Sequence, residues 1–265
     1  MEKLLLNETE VVNQYNTLKS IHKVAKYFNV SISPIKRILK SNGFDLTNRR
    51  YEVNHGYFNE IDTEEKAYWL GFLYADGYIR ERKSGNSLEM KLSTKDKYHL
   101  ERFRDSIESN HKIIDGINNV KYKGGISSSH MSSLAIYSSQ LVESVKSQGI
   151  HSRKTFTIER PKIHNNLIRH FIRGYFDGDG TFRFVESGKN GTGIACASEK
   201  FRDFLIEEML KNNIEIKYYG GINLFIQNKI GNNKFYNYIY KNATIYLERK
   251  KEIYERFREY YKYNS

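Results

Sequence analysis

Apolar side chains crowd two stretches of this chain, WLGFLYADGYI from Trp69 to Ile79 and IRGYFDGDGTF from Ile172 to Phe182. In both, small residues recur four apart: Gly71 and Ala75 in the first, Gly174 and Gly178 in the second. That spacing puts each pair on one face of a helix. Glycine inside a helix costs up to ~1 kcal/mol relative to alanine, and close approach of a second backbone is a reason to accept it. The pattern predicts two helices packed face to face, ending in Asp76-Gly77 and Asp179-Gly180, each glycine in the left-handed turn that often stops a helix. Beyond each pair the period becomes two. Ile79 and Phe182 then face inward and Arg80 and Arg183 outward, with Arg82 continuing the outer face.

The self-likeness extends further. SLEMKLSTKDKYHLERFRDSIESN (87–110) and TGIACASEKFRDFLIEEMLKNN (192–213) each read as an alternating strand running into an amphipathic helix. Gly124-Gly125 and Gly220-Gly221 each open another alternating segment, a hairpin signal. Each half closes on an Arg-Lys pair, Arg153-Lys154 and Arg249-Lys250. Repetition of this kind marks a duplicated unit. We expect an α+β chain with halves at 61–160 and 161–265, joined near Pro161.

Residues 1–50 are patterned as three short helices, Glu8–Tyr15, Ile21–Phe28 and Ser33–Ser41, the last stopping at Asn42-Gly43. The segment SIHKVAKYFNVSISPIKRILKSNGF resembles a helix-turn-helix, with Ala25 small in the second helix, Val30 in the turn, and Ile35 and Leu39 facing a core. Ser31 or Ser33 can cap the third helix, with Pro34 in its first turn. That resemblance implies a recognition helix offering Ser33, Lys36, Arg37 and Lys40 to DNA. Nine basic residues against four acidic ones suit this use; a three-helix bundle for protein contact is the alternative. Residues 51–60 read as a linker, preceded by a basic run from Thr47 to Arg50.

Matched acids raise a chemical question. A helix C-terminus carries partial negative charge, and two carboxylates brought together repel each other. A divalent cation offsets both penalties, and oxygen ligands without a His or Cys cluster favour Mg²⁺ (or Mn²⁺) over Zn²⁺. The plain alternative is that both Asp-Gly pairs are only turns. Most of the 43 lysines and arginines must be solvated surface charges.

At these residues the chain closely resembles the LAGLIDADG homing endonucleases, in the monomeric form with two motifs in one polypeptide. WLGFLYADG keeps the Gly, Ala, Asp and Gly of consensus positions three, seven, eight and nine, and IRGYFDGDG keeps Gly, Asp, Asp and Gly at three, six, eight and nine. Trp69, Tyr74 and Arg173 depart from it in ways the family tolerates. The resemblance covers residue 61 to the C-terminus. It implies two pseudo-symmetric αββαββα units forming a β-saddle over double-stranded DNA, beside the small all-α helix-turn-helix unit. It also implies metal ligands at Asp76 and Asp179, a lysine near each (Lys154 and Lys250, with neighbouring Lys251 the alternative to Lys250) to stabilise charge on a phosphate or polarise an attacking water, and hydrolysis of both strands to leave 3′ overhangs, in the service of intron or gene mobility. Arg80, Arg82 and Arg183 would then meet bases or phosphates in the major groove. Lys91, Lys121, Lys123, Lys217, Asn223 and Gln227 are further candidates of that type.

Composition fits without deciding. The net charge of +12 attracts polyanions, as it does in many basic proteins. With 39% hydrophobic residues, including 21 Tyr and 15 Phe, the chain can fill a core. A single cysteine, Cys196, rules out an intramolecular disulfide and reads as a small buried side chain. No signal peptide or membrane-length apolar run is evident, so we expect a soluble intracellular monomer with no membrane partner. Two other readings stay open: a DNA-binding transcriptional regulator that has lost cleavage, and an RNA maturase acting on intron RNA. Retention of both motif acids argues against the first.

Overall fold

The computed structural model describes residues 6–18, 21–44, 51–83, 85–186 and 190–263. Contacts divide the chain into two units, 1–50 and 51–265. In the first, helices α1 (Glu8–Leu18), α2 (Ile21–Tyr27) and α3 (Ile32–Ser41) close over Val11, Val24, Ala25, Ile35, Ile38 and Leu39. Asn29 takes the left-handed conformation between α2 and α3, at φ 51. Ser31 occupies the N-cap position of α3, yet its side chain makes no capping bond. Pro34 is tolerated because backbone N–H groups of a first turn lack intrahelical partners. The basic run from Thr47 to Arg50 lies outside the described residues.

Residues 51–60 are no free linker. Tyr57 and Phe58 are buried in the larger core, the Glu52 N–H donates to Asn110 Oδ1 at 2.8 Å, and the Asn54 N–H donates to Ile107 O at 2.8 Å. Two aromatic rings in a segment otherwise rich in Asn and charge anchor it to the first half.

The larger unit repeats one order of elements. The first half runs α4 (Glu64–Asp76), β1 (Gly77–Arg80), β2 (Ser87–Ser93), α5 (Lys97–Ser106), β3 (Ile113–Tyr122), β4 (Gly125–Tyr137) and α6 (Ser139–Ser147). The second runs α7 (Ile168–Asp179), β5 (Gly180–Arg183), β6 (Gly191–Ala195), α8 (Glu199–Lys211), β7 (Lys217–Tyr218), β8 (Asn223–Ile226) and α9 (Lys229–Tyr240), then adds α10 (Glu248–Tyr260). Each half forms a four-stranded antiparallel sheet, in the orders β1-β2-β4-β3 and β5-β6-β8-β7. The expected αββαββα succession is therefore present twice.

Helix α4 starts where Thr63 accepts the Lys66 N–H, and Glu64 and Glu65 complement the dipole in its first turn. From Ala67 to Tyr74 every residue is buried, because α4 lies against α7 on one side and its own sheet on the other. The two terminal glycines do not adopt the left-handed turn. Gly77 (φ −72, ψ 140) and Gly180 (φ −90, ψ 158) are extended and pass directly into β1 and β5. Crowding requires glycine there instead. A Cβ on Gly77 would stand 2.5 Å from Leu73 O, and one on Gly180 would stand 2.0 Å from the Phe176 ring.

Candidate metal centre and nucleic-acid groove

Gly71 and Gly174 set the closeness of the two motif helices. A Cβ on Gly71 would lie 1.9 Å from Phe171 O, and one on Gly174 would lie 1.9 Å from Tyr68 O, so the backbones touch reciprocally. One turn further on, a Cβ on Gly178 would meet Ala75 Cβ at 2.3 Å and Asp76 Oδ2 at 3.1 Å. Asp76 thus reaches across to the residue before Asp179. Burial, then the charge of Asp179, pushes the Asp76 carboxyl up to about 6; Lys250, Lys154 and Arg249 pull the other way. Burial also raises Asp179, against Lys154 and Lys250. The four residues proposed for catalysis form one electrostatic cluster.

Their settings differ. Arg153, left-handed at φ 62, turns the chain so that half-buried Lys154 donates one hydrogen bond, to Ala75 O at 2.8 Å. Burial lowers its pKa, and the two acids oppose that. Lys250, 5% exposed, donates to Phe176 O (2.7 Å), Gly178 O (3.2 Å) and Gly180 O (2.5 Å). All three ammonium protons are used on carbonyls at the end of α7. Burial brings Lys250 down to about 8, with Asp177 opposing.

Asp177 is a participant that residue-by-residue reading overlooked, although its consensus match at motif position six marked it. It is 1% exposed and accepts from Tyr68 OH (2.8 Å), Tyr240 OH (2.5 Å) and the Leu247 N–H (2.7 Å). Tyr68 has a single proton and gives it to Asp177, so His99 Nε2, 2.8 Å from that hydroxyl, must donate to it. His99 is therefore the neutral Nε2–H tautomer, with Nδ1 unpartnered, and burial lowers its pKa to about 3. Nearby, fully buried Arg173 donates to Ile239 O, Ile245 O and, at 2.7 Å, to Glu64 of the first half. The Arg249 Nε contacts Asp96 at 3.0 Å. Tyr68, Glu64 and Asp96 belong to the first half, so these bonds tie the halves together around the acids.

Asp76 opens onto a cavity of about 460 Å³ over the first sheet, lined also by Tyr78, Arg80, Arg82, Glu89, Lys91 and Tyr137. Strands β1 and β5 share the predicted alternation, glycine and Ile79 or Phe182 inward, arginine outward. Arg80 and Arg82 are both drawn to Glu89, at 2.9 and 3.6 Å. Glu89 was legible as a member of the same period-two face in SLEMKLS. Arg183 and Gln227 line a second cavity of about 620 Å³ over the other sheet, and exposed Lys217 and Asn223 share that face by register. Lys121 pairs with Ile126 on the parity opposite Lys91, and Lys123 lies in the β3–β4 turn. Ser33, Lys36, Arg37 and Lys40 are exposed together on α3 of the smaller unit, opposite its buried Ile35, Ile38 and Leu39.

Among the described residues no group of three or more His, Cys, Asp and Glu is gathered that could hold a metal. The protein's contribution would be two carboxylates, both raised by burial and Asp76 also by the charge of Asp179. That set fits a hard cation which keeps water ligands and takes substrate oxygens, as Mg²⁺ does. No described helix is long and apolar enough to cross a membrane.

No protein-family model matches the sequence, and no curated protein does. Solved structures do match. The homing endonuclease I-WcaI bound to its DNA recognition sequence is 13% identical over 72% of this chain and 87% of its own, with a TM-score of 0.51. The N-terminal LAGLIDADG domain of DUF199/WhiA (16%, 75% and 93%, TM-score 0.45) and the meganuclease I-SmaMI bound to uncleaveable DNA (13%, 74% and 88%, TM-score 0.43) are looser likenesses. The chain has the LAGLIDADG homing-endonuclease fold expected from its paired motifs.

Proposed function

We propose that this chain is a metal-dependent, site-specific double-strand DNA endonuclease of the homing type, acting as a monomer and leaving 3′ overhangs. The observation that carries the proposal is the convergence of Asp76 and Asp179, one from each half, beside a basic groove. I-WcaI, of the same fold, is described bound to its DNA recognition sequence, and a duplex suits this groove too. Asp76 and Asp179 would hold Mg²⁺ or Mn²⁺; when bound, such an ion supplies Lewis acidity toward a phosphate and a water of lowered pKa.

The chain's own groups do the rest. The carboxylates would hold that ion at the seam between the halves. Lys154, with two protons uncommitted, can donate to a phosphate oxygen as charge builds there. Lys250 acts as a fixed positive charge at the end of α7. Arg80, Arg82 and Lys91 over the first sheet, and Arg183, Lys217, Asn223 and Gln227 over the second, would contact bases and phosphates. Ser33, Lys36, Arg37 and Lys40 on α3 would add contacts from a helix-turn-helix unit. Because the halves differ, the target need not be palindromic. Mobility of an intron or of the gene itself is the use that such cutting serves.

The test incubates purified protein and Mg²⁺ with DNA matching the flanks of its gene without the gene itself. A discrete double-strand break is expected, abolished by Asp76→Asn or Asp179→Asn with binding largely kept. Binding without any break would return the regulator reading.

A further inference from the structure

The β3–β4 ribbon has no equal in the second half. Its register runs from Ile113 opposite Leu134 to Tyr122 opposite Gly125, whereas β7 and β8 share only Lys217 opposite Phe225 and Tyr218 opposite Leu224. At ~3.3 Å per residue the longer pairing spans on the order of 30 Å and the shorter about 7 Å. A two-stranded ribbon fits the major groove of B-DNA.

Period two identifies the side chains that share the face of the Asp76 groove. Ser133 and Ala135 line that groove with Lys91. Opposite Ser133 is Ile114, and stepping outward by twos gives Gly116, Asn118, Val120 and Tyr122. A bond from Lys91 Nζ to Asn118 Oδ1, 3.1 Å, fixes the parity independently. The β4 residues across from this outer tract are Met131, Ser129, Ser127 and Gly125.

The face therefore divides by chemistry. Near Asp76 it presents Arg80, Arg82, Glu89 and Lys91; beyond Lys91 it carries no charged side chain. Val120 and Tyr122 are 53% and 61% exposed there, and Ile114, level with Lys91, is 66% exposed. Such an uncovered apolar ribbon is a liability unless something occupies it. Arginine reads guanine, asparagine reads adenine, and apolar tips pack on the thymine methyl.

We infer that the half-site contacted by the first half is the longer one, and that its outer portion is A·T-rich, read by Asn118, Val120 and Tyr122. Guanine is read close to the cut, where the arginines stand. This inference rests on the endonuclease reading.

The experiment selects, by cleavage with full-length protein and Mg²⁺, from duplexes randomised on both sides of a central segment, and sequences the cut ends. The cut marks the centre, so each side's preferences can be counted separately. One side should specify more positions, with A·T enriched at its outer end. Asn118→Ala should flatten the preference there by about 10-fold at one or two positions, on that side only. Val120→Ser, on an exposed ribbon position, should weaken a neighbouring thymine preference. Half-sites of equal length, outer G·C enrichment, or preferences unmoved in both variants would overturn the inference while leaving the endonuclease intact. Absence of any cut sequence would overturn both. An outer tract without base preference would point instead to a protein covering the ribbon, and would also overturn the inference.

Discussion

The two halves share a chain path and differ in what stands behind each acid. At Asp76 the helix end is met by Lys154, half-buried, giving one hydrogen bond to Ala75 O. At Asp179 it is met by Lys250, buried and bonded to three carbonyls. Motif position six is Tyr74 in the first half, whose hydroxyl donates to Gln148 O, and Asp177 in the second, which accepts from Tyr68, Tyr240 and the chain at Leu247. Duplication supplies matched acids, but the surroundings of each are free to specialise. Here the second half has taken on the structural load, and the first has kept the uncommitted donors.

The sharpest way to break this comparison is to remove each lysine in turn. Lys154→Met is expected to fold normally and to lose about 10²- to 10³-fold in cleavage rate, the scale of a lost transition-state donor. Lys250→Met should lose about 3–5 kcal/mol of stability, because three carbonyls and buried Asp177 are left without their cation. Thermal denaturation alongside single-turnover cleavage separates the two outcomes; equal melting temperatures with equal rate losses would make the lysines equivalent. Next in size, Asp177→Asn should cost about 3 kcal/mol, against about 1 kcal/mol for Tyr74→Phe, where one neutral bond disappears.

The helix crossing should behave symmetrically. Gly71→Ala and Gly174→Ala each push a methyl into a carbonyl 1.9 Å away, and each should destabilise by about 1–3 kcal/mol or more. A large difference between them would show that one half yields to the other.

The gentlest probe is pH. Asp76 titrates near 6 in the fold against 3.8 ordinarily, a raised value. Its protonated form is therefore favoured by folding. The stability this contributes is fully present below pH 3.8 and is lost as pH rises through about 6. Asp76→Asn should remove that slope from the pH dependence of the melting temperature of metal-free protein. A cation that needs the carboxylate should bind progressively less well below pH 6, measurable by calorimetry with Mg²⁺. Lys250, lowered to about 8, works oppositely: its buried charge is a cost present below pH 8 and relieved as pH rises toward 10.5.

Much of the architecture was legible because two periods suffice to read it. The i, i+4 small residues located the crossing, and period two after each Asp-Gly pair put Arg80 and Arg183 outside and Ile79 and Phe182 inside. Sequence pattern is silent where a residue's reason is a neighbour distant in the chain. Gly77 and Gly180 satisfy crowding by Leu73 and Phe176 rather than a positive φ. Residues 51–60 looked polar and linker-like, while Tyr57 and Phe58 hold them in the core. Lys121 counts as one more cation in sequence, yet its parity points it away from the groove holding Lys91.

Local periodicity and a self-repeat thus determined the helix pair, the alternation of the strands and the existence of two matched acids, since each depends on residues within a few positions. Which lysine is spent on carbonyls, which acid joins the halves and how far each ribbon reaches were decided only in three dimensions. Hydrogen-bond partners, such as Leu247 for Asp177 or Glu64 for Arg173, lie 70 and 109 residues away. No local pattern encodes a contact whose two ends meet only after the core has closed.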